Sequence, residues 1–203
     1  IYLFLVMMGC AMVLCAWRLL PETNLQRKPL ALAGIAADYR SLLGNRRYTA
    51  FMLGGACSTT ALYPYLATAP YIVHEQLGLP IRSVGWFAAS TIIGASFGTM
   101  PARRLAGRVS IDKFLYVGAS IGLSLSTVFL LVQLMGWMTP TLLLVLTITM
   151  TFGAGLASPA ALSRSLSSAP ALAGAAAGFY GFGQMAMGAL GSDAAVEAAD
   201  VVL

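Results

Sequence analysis

The sequence predicts an all-α, polytopic membrane helix bundle, and three observations carry that reading. The 203-residue chain is 59% hydrophobic and only 9% charged, with a mean hydropathy of +0.81. A soluble domain carries roughly 25% charged residues, because it must cover its surface with them. The few charges fall in short clusters between long apolar stretches, which is the layout of a chain that crosses a bilayer repeatedly. Six of those stretches approach the ~20 residues that a helix needs to span the hydrocarbon core.

In chain order the apolar runs are Ile1 to Leu20, Tyr48 to Val73, Val84 to Ala102, Phe114 to Met135, Met138 to Ser163 and Ala171 to Gly191. Each holds Gly or Pro in a Leu/Ala/Val/Phe background, which bilayer helices tolerate because neighbouring helices satisfy the freed backbone groups. Barrel strands are a poor alternative, since the runs are continuous rather than alternating and about twice too long. The first run lacks a basic leading segment and a cleavage site before Arg18, so it reads as a span rather than a signal peptide. Trp17, Trp86 and Trp137 lie near run ends, where interfacial anchors belong.

Orientation follows from the basic residues. Eleven of the twelve Lys and Arg fall on one side of the six runs: Arg18 to Arg47 in the first connection, Arg103 to Lys113 in the third, and Arg164 in the fifth. Arg82 alone falls on the other side. The positive-inside rule makes the basic side cytoplasmic, so both ends of this stretch lie outside, with an acidic tail over 193–203 carrying Asp193, Glu197 and Asp200.

The expected organisation is therefore a transmembrane helix over 1–20, a cytoplasmic loop over 21–47, a five-helix bundle over 48–192 and the acidic tail. Within the loop, Leu32, Ile35, Ala36, Tyr39, Leu42 and Leu43 follow helical spacing. Two readings of that segment stay open: a helix lying on the inner membrane surface, or a linker helix joining two bundles. The basic balance serves topology rather than nucleic-acid binding. Cys10, Cys15 and Cys57 sit inside apolar runs without metal or disulfide spacing, so neither metal nor cofactor is expected.

Several local sequences share one resemblance. Leu20-Pro21-Glu22-Thr23 ends the first run, a basic linker follows, and Tyr39-Arg40-Ser41-Leu42-Leu43-Gly44-Asn45-Arg46-Arg47-Tyr48 opens the second. Further along come Ala69-Pro70-Tyr71-Ile72-Val73, the stretch from Gly98 to Arg108, Ser158-Pro159-Ala160-Ala161-Leu162, Ala173-Gly174 and Gly181-Phe182-Gly183-Gln184-Met185. Their order and spacing resemble drug:proton antiporters of the major facilitator superfamily, specifically the bicyclomycin/chloramphenicol-resistance (Bcr/CflA-type) group. The resemblance extends from the first residue to about Gly191.

That resemblance implies that the six runs are the sixth to eleventh helices of a twelve-helix inner-membrane exporter, an incomplete C-terminal half that works with the missing N-terminal half of the same transporter. It implies exchange of protons for small amphipathic drugs by alternating access. The family's coupling carboxylate and its basic partner lie in the absent half, so this portion contributes cavity walls. The loop Pro101-Ala102-Arg103-Arg104-Leu105-Ala106-Gly107-Arg108 keeps the basic residues of the superfamily's loop motif and lacks its usual acid.

An enzyme would need an acid, base or nucleophile pair within the bilayer, and the apolar runs carry none. His74 stands alone at a run end, the position of a headgroup-level or solvent-facing histidine. A site for varied apolar drugs needs stacking faces and a few neutral hydrogen-bonding groups. Thr59, Thr60 and Tyr63 share one helical face beside Pro64 and Pro70, and Phe179, Phe182 and Gln184 add aromatic surface and an amide. The expected substrate-binding residues are Thr59, Tyr63, Phe179, Phe182 and Gln184; plain helix packing is the alternative for each. Gly94/Gly98, Gly118/Gly122 and Gly174/Gly178 have the spacing of close helix contacts. Two rival functions remain: a metabolite transporter for a sugar or amino-acid derivative, and a non-transporting scaffold that pairs with another half.

Overall fold

The computed structural model describes residues 2–19, 32–60, 62–105 and 107–201; the side chains of residues 32, 33, 59 and 198–201 are outside that description. Residues 20–31, which include part of the expected central loop, also lie outside the described residues. The chain forms two compact units, Ile1–Ile35 and Ala36–Leu203. The described residues are helical almost throughout and contain no ladder-forming strand segment, as an uninterrupted supply of apolar helix formers dictates.

The first unit holds α1 (Tyr2–Leu19), apolar except for Arg18 in its last turn. Helix α2 (Leu32–Gly44) spans the boundary between the units. The second unit then contains α3 (Arg46–Thr60), α4 (Leu62–Tyr71), α5 (Val84–Arg104), α6 (Ile111–Leu134), α7 (Pro140–Ser168) and α8 (Ala173–Val201). Helices α3 and α4 together cover the second apolar run. Pro70 sits inside α4, and a π-helical turn, Ile72–Gln76, follows it. A proline removes one backbone donor and crowds the preceding turn, so the ladder shifts register there.

Local chemistry sets the boundaries. Asn45 separates α2 from α3: its Oδ1 accepts from the backbone N–H groups of Arg47 at 3.1 Å and Tyr48 at 3.2 Å, an N-cap. Its amide also donates to Ser168 O at 3.0 Å, joining the start of α3 to the end of α7. Gly136, at φ 67°, turns the chain after α6. Thr139 caps α7 by accepting from Leu142 N–H at 3.2 Å, and Pro140 occupies the first turn.

Helix α7 is the centre of the bundle and α6 its rim: 44% of the apolar stretch of α7 is buried, against 6% of that of α6. Among the described residues α1, α6 and α7 are long and apolar enough to cross a membrane by themselves. Helices α5 and α8 are diluted by Gly, Ala and Ser, the residues that let backbones approach. A Cβ on Gly98 would lie 2.1 Å from Phe152 O, and one on Gly118 would lie 2.6 Å from Gly153 O. Gly94 is closed off by α7 in the same way. Gly174 and Gly178, by contrast, have open space around them.

The packing pairs follow an inverted repeat. Helix α3 meets α7, α5 packs on α7, and α8 packs on α3 and α4. Asn45 bonding to Ser168 places the start of the α3/α4 span at the end of α7, so these two spans run in opposite directions. The triplet α3/α4–α5–α6 is thus mirrored by α7–α8, with the second member of each packed on the first member of the other. Helix α6 packs on α7.

Charges gather at one end of this bundle. Arg46 and Arg47 adjoin Asn45, and Arg164 lies one turn before Ser168. Asp112, in the first turn of α6, receives two hydrogen bonds from Arg164: Nε to Oδ1 at 2.7 Å and Nη2 to Oδ2 at 2.5 Å. At the opposite end Gln133 Nε2 donates to Gln76 Oε1 at 2.7 Å.

Candidate functional site

Tyr63, Phe179, Phe182 and Gln184, singled out in the second and sixth apolar runs, lie on helices that pack together, α4 and α8. Tyr48 is fully buried where α3 meets α8, and its hydroxyl donates to Ala176 O at 2.8 Å. One α8 face is glycine where α3 and α4 press closest. Gly183 lies against Met52, Gly188 under the Tyr63 ring and Gly191 against Pro64. Gly55 answers from α3, where a Cβ would lie 2.2 Å from the Tyr180 hydroxyl. These contacts explain why bulky residues alternate with glycine on both helices.

An aromatic row occupies the basic-end half of this seam. Phe179 lies 5.3 Å from Tyr39, 6.5 Å from Tyr48 and 6.0 Å from Phe182 between ring centroids, the last pair nearly parallel at 8°. Offset stacks of this kind are favourable because ring faces and edges carry opposite partial charge. Helix α2 joins through Leu42, which is buried against the same cluster, and Tyr39. Its apolar stripe is therefore partly used for packing, while Leu43 remains exposed.

The five expected binding residues have distinct settings. The side chain of Thr59 is outside the described residues. Tyr63 is half-buried, and its hydroxyl points to Met185 Sδ at 3.8 Å, a weak acceptor. Phe179 is half-buried in the aromatic row, Phe182 is 65% exposed, and Gln184 is half-buried and engaged with its surroundings. Tyr63 and the three α8 residues thus share one helix pair. Phe179 and Phe182 stack together, and Tyr63 reaches α8 two turns further on. Both runs, Tyr48 to Tyr71 and Ala173 to Ser192, are free of charged residues.

A separate cavity of about 640 Å³ lies between α3/α4, α6 and α7, and none of the four expected binding residues whose side chains are described lines it. Small residues form two of its walls: Gly54, Cys57 and Ser58 on α3, and Gly118, Ala119 and Gly122 on α6. Tyr65 and Thr147 line it deeper in, with both hydroxyls buried. No apolar periodicity marks this cavity, because its walls come from three spans far apart in sequence. The Asp112–Arg164 pair was equally hidden, being separated by 52 positions, although a lone acid in a helix's first turn is a recognisable anchor for a cation.

His74 is exposed at the π-helical turn, with Nδ1 3.1 Å from Leu79 O and Nε2 3.9 Å from Glu75. Among the described residues no cluster of three or more His, Cys, Asp or Glu forms a metal site.

Residues 1–192 match the Major Facilitator Superfamily. The chain belongs to that superfamily. A 104-residue stretch, 51% of the chain, is 28% identical to the multidrug transporter MdfA of Yersinia pestis bv. Antiqua (strain Angola) and 26% identical to MdfA of Edwardsiella ictaluri (strain 93-146). The aligned stretch spans 25% of the length of each of these relatives. No solved structure matches the chain. The protein is a multi-pass membrane protein of a transporter superfamily, and its all-helical bundle fits that superfamily in part.

Proposed function

We propose that this chain is the C-terminal portion of a proton-coupled multidrug exporter of the inner membrane, of the bicyclomycin/chloramphenicol-resistance type, contributing its sixth to eleventh helices. The observation that carries the reading is the uncharged seam between α3/α4 and α8. Phe179, Phe182 and Tyr63 offer stacking surface, Gln184 an amide and Met185 a polarisable thioether, with no fixed charge to demand a particular ionic partner. The curated relatives, named as multidrug transporters, support the same substrate class.

In this proposal the exposed side of α8, carrying Phe182 and Met185, faces the N-terminal half across a central path, and that half supplies the proton-coupling carboxylate. The basic end of the bundle is cytoplasmic, in line with the positive-inside rule. The apolar rims of α5 and α6 face lipid.

The test is drug export from an efflux-deficient bacterium that expresses the natural gene. The expected result is raised resistance to several unrelated amphipathic drugs that disappears when a protonophore collapses the proton gradient. Phe182→Ala, Tyr63→Phe and Gln184→Ala change the ranking of drugs while leaving the amount of protein in the membrane unchanged. Unaltered drug susceptibility with the protein present in the membrane overturns the proposal. Gradient-driven uptake of a sugar or amino-acid derivative under the same conditions replaces it with a metabolite carrier.

A further inference from the structure

One face of α5 is exposed along nearly its whole length. Trp86, Ile93, Phe97, Met100 and Arg104 recur at helical spacing, and all five side chains lie open. Helical rise puts Trp86 and Arg104 about 27 Å apart, close to the ~30 Å thickness of a hydrocarbon core. The stripe begins on an aromatic interfacial anchor, crosses on apolar side chains and ends on a cation, as a lipid-facing helix does.

Near its cationic end the stripe opens into a groove. Gly98 brings the α5 backbone onto the Phe152 carbonyl of α7. Beside that contact lies an open groove of about 460 Å³, lined by Phe97, Met100, Pro101 and Leu105 on the α5 side and by Phe152 of α7. Arg104 is its one charged residue. An apolar slot ending in a single cation matches an acyl chain joined to an anionic head.

The surroundings favour an anion. Between Gly98 and Lys113 the chain carries Arg103, Arg104, Arg108 and Lys113 against one acid, Asp112. Asp112 is already held by Arg164 through two hydrogen bonds. Among the described residues no carboxylate pairs with Arg104.

We propose that the groove between α5 and α7 binds an anionic phospholipid, with the phosphate on Arg104 and an acyl chain against Phe97, Met100 and Phe152. Arg103 and Arg108 strengthen the local positive field without lining the groove. The inference needs the chain to span a bilayer; it does not need the chain to export drugs.

The test uses the whole transporter expressed from its natural gene, reconstituted in nanodiscs of phosphatidylglycerol and phosphatidylcholine with matched acyl chains. Native mass spectrometry of the released protein counts the lipids that stay bound. Retention of phosphatidylglycerol over phosphatidylcholine is expected, and Arg104→Gln lowers that preference about fivefold. Arg46→Gln removes an equal charge from the same end of the bundle, off the groove, and keeps the preference. Equal losses in the two variants, or no preference in the unaltered protein, overturn the proposal.

A second measurement does not depend on the arginine. The photo-crosslinking amino acid p-benzoylphenylalanine at Phe97, irradiated in native membranes, is expected to give phospholipid adducts. Capture of a peptide, whether from the same polypeptide or from another protein, means that protein covers the groove and overturns the proposal.

Discussion

Arg164 and Asp112 meet through two parallel hydrogen bonds, at 2.7 and 2.5 Å, although 52 positions separate them in sequence. The pair fastens the start of α6 to the end of α7 at the basic end of the bundle. Asp112 also lies in the first turn of α6, where the free N–H groups favour an anion. The loop from Pro101 to Arg108 lacks the acid of the superfamily motif, and Asp112 places a carboxylate a few residues beyond it.

Asp112→Asn is expected to lower stability by about 1 kcal/mol, a value at the upper end for exposed pairs because the side chains are 27% and 40% exposed and partly screened by water. Exchanging the two residues, as D112R/R164D, restores part of that loss. Thermal unfolding of the purified protein in detergent measures both, and a fully additive double variant would show that the two side chains act independently.

Tyr48 tests the seam between α3 and α8. Tyr48→Phe keeps the ring and removes the hydroxyl that donates to Ala176 O, which costs about 1 kcal/mol. Tyr48→Ala also empties a fully buried site beside Phe179 and costs about 3–5 kcal/mol. Equal melting temperatures for the two variants would mean that the ring contributes nothing.

Glycines with the same spacing are expected to behave differently. Gly98→Ala drives a Cβ against the Phe152 carbonyl, a backbone atom that cannot move aside without shifting α7, and costs about 1–3 kcal/mol. Gly174→Ala meets open space and changes stability by less than about 0.5 kcal/mol. Parallel thermal scans separate them.

Asn45→Ala removes an N-cap and the bond to Ser168 together, with an expected loss of about 1–2 kcal/mol. Asn45→Asp keeps the cap acceptor and loses the amide donor. Its stability falls between that of Asn45→Ala and the unaltered protein, which a denaturation series in detergent resolves.

Much of this was legible in the sequence, for a physical reason. Hydropathy and charge are summed along a span, so Leu, Val and Phe declare a helix wherever they accumulate, and Arg and Lys mark the ends they cannot pull through the bilayer. Gly94, Gly98 and Gly118 announced close helix contacts, and Pro70 announced a disturbed ladder. The aromatic residues of α8 were visible as stacking surface, though not as partners of Tyr39 and Tyr48.

What the sequence determined by itself was an all-helical membrane protein and the uncharged character of its candidate binding surface. Tertiary structure alone decided that a side chain on Gly98 would meet α7 while one on Gly174 would meet open space, that Arg164 finds Asp112, and that α3, α6 and α7 leave a cavity between them. In a soluble helix one apolar face identifies the inside. From Ala173 to Ser192 helix α8 carries no charge and, Gln184 apart, is apolar or small all round, so its sequence leaves open how it is rotated about its axis and which neighbour each face meets. Only the packing of whole helices against one another resolves that rotation.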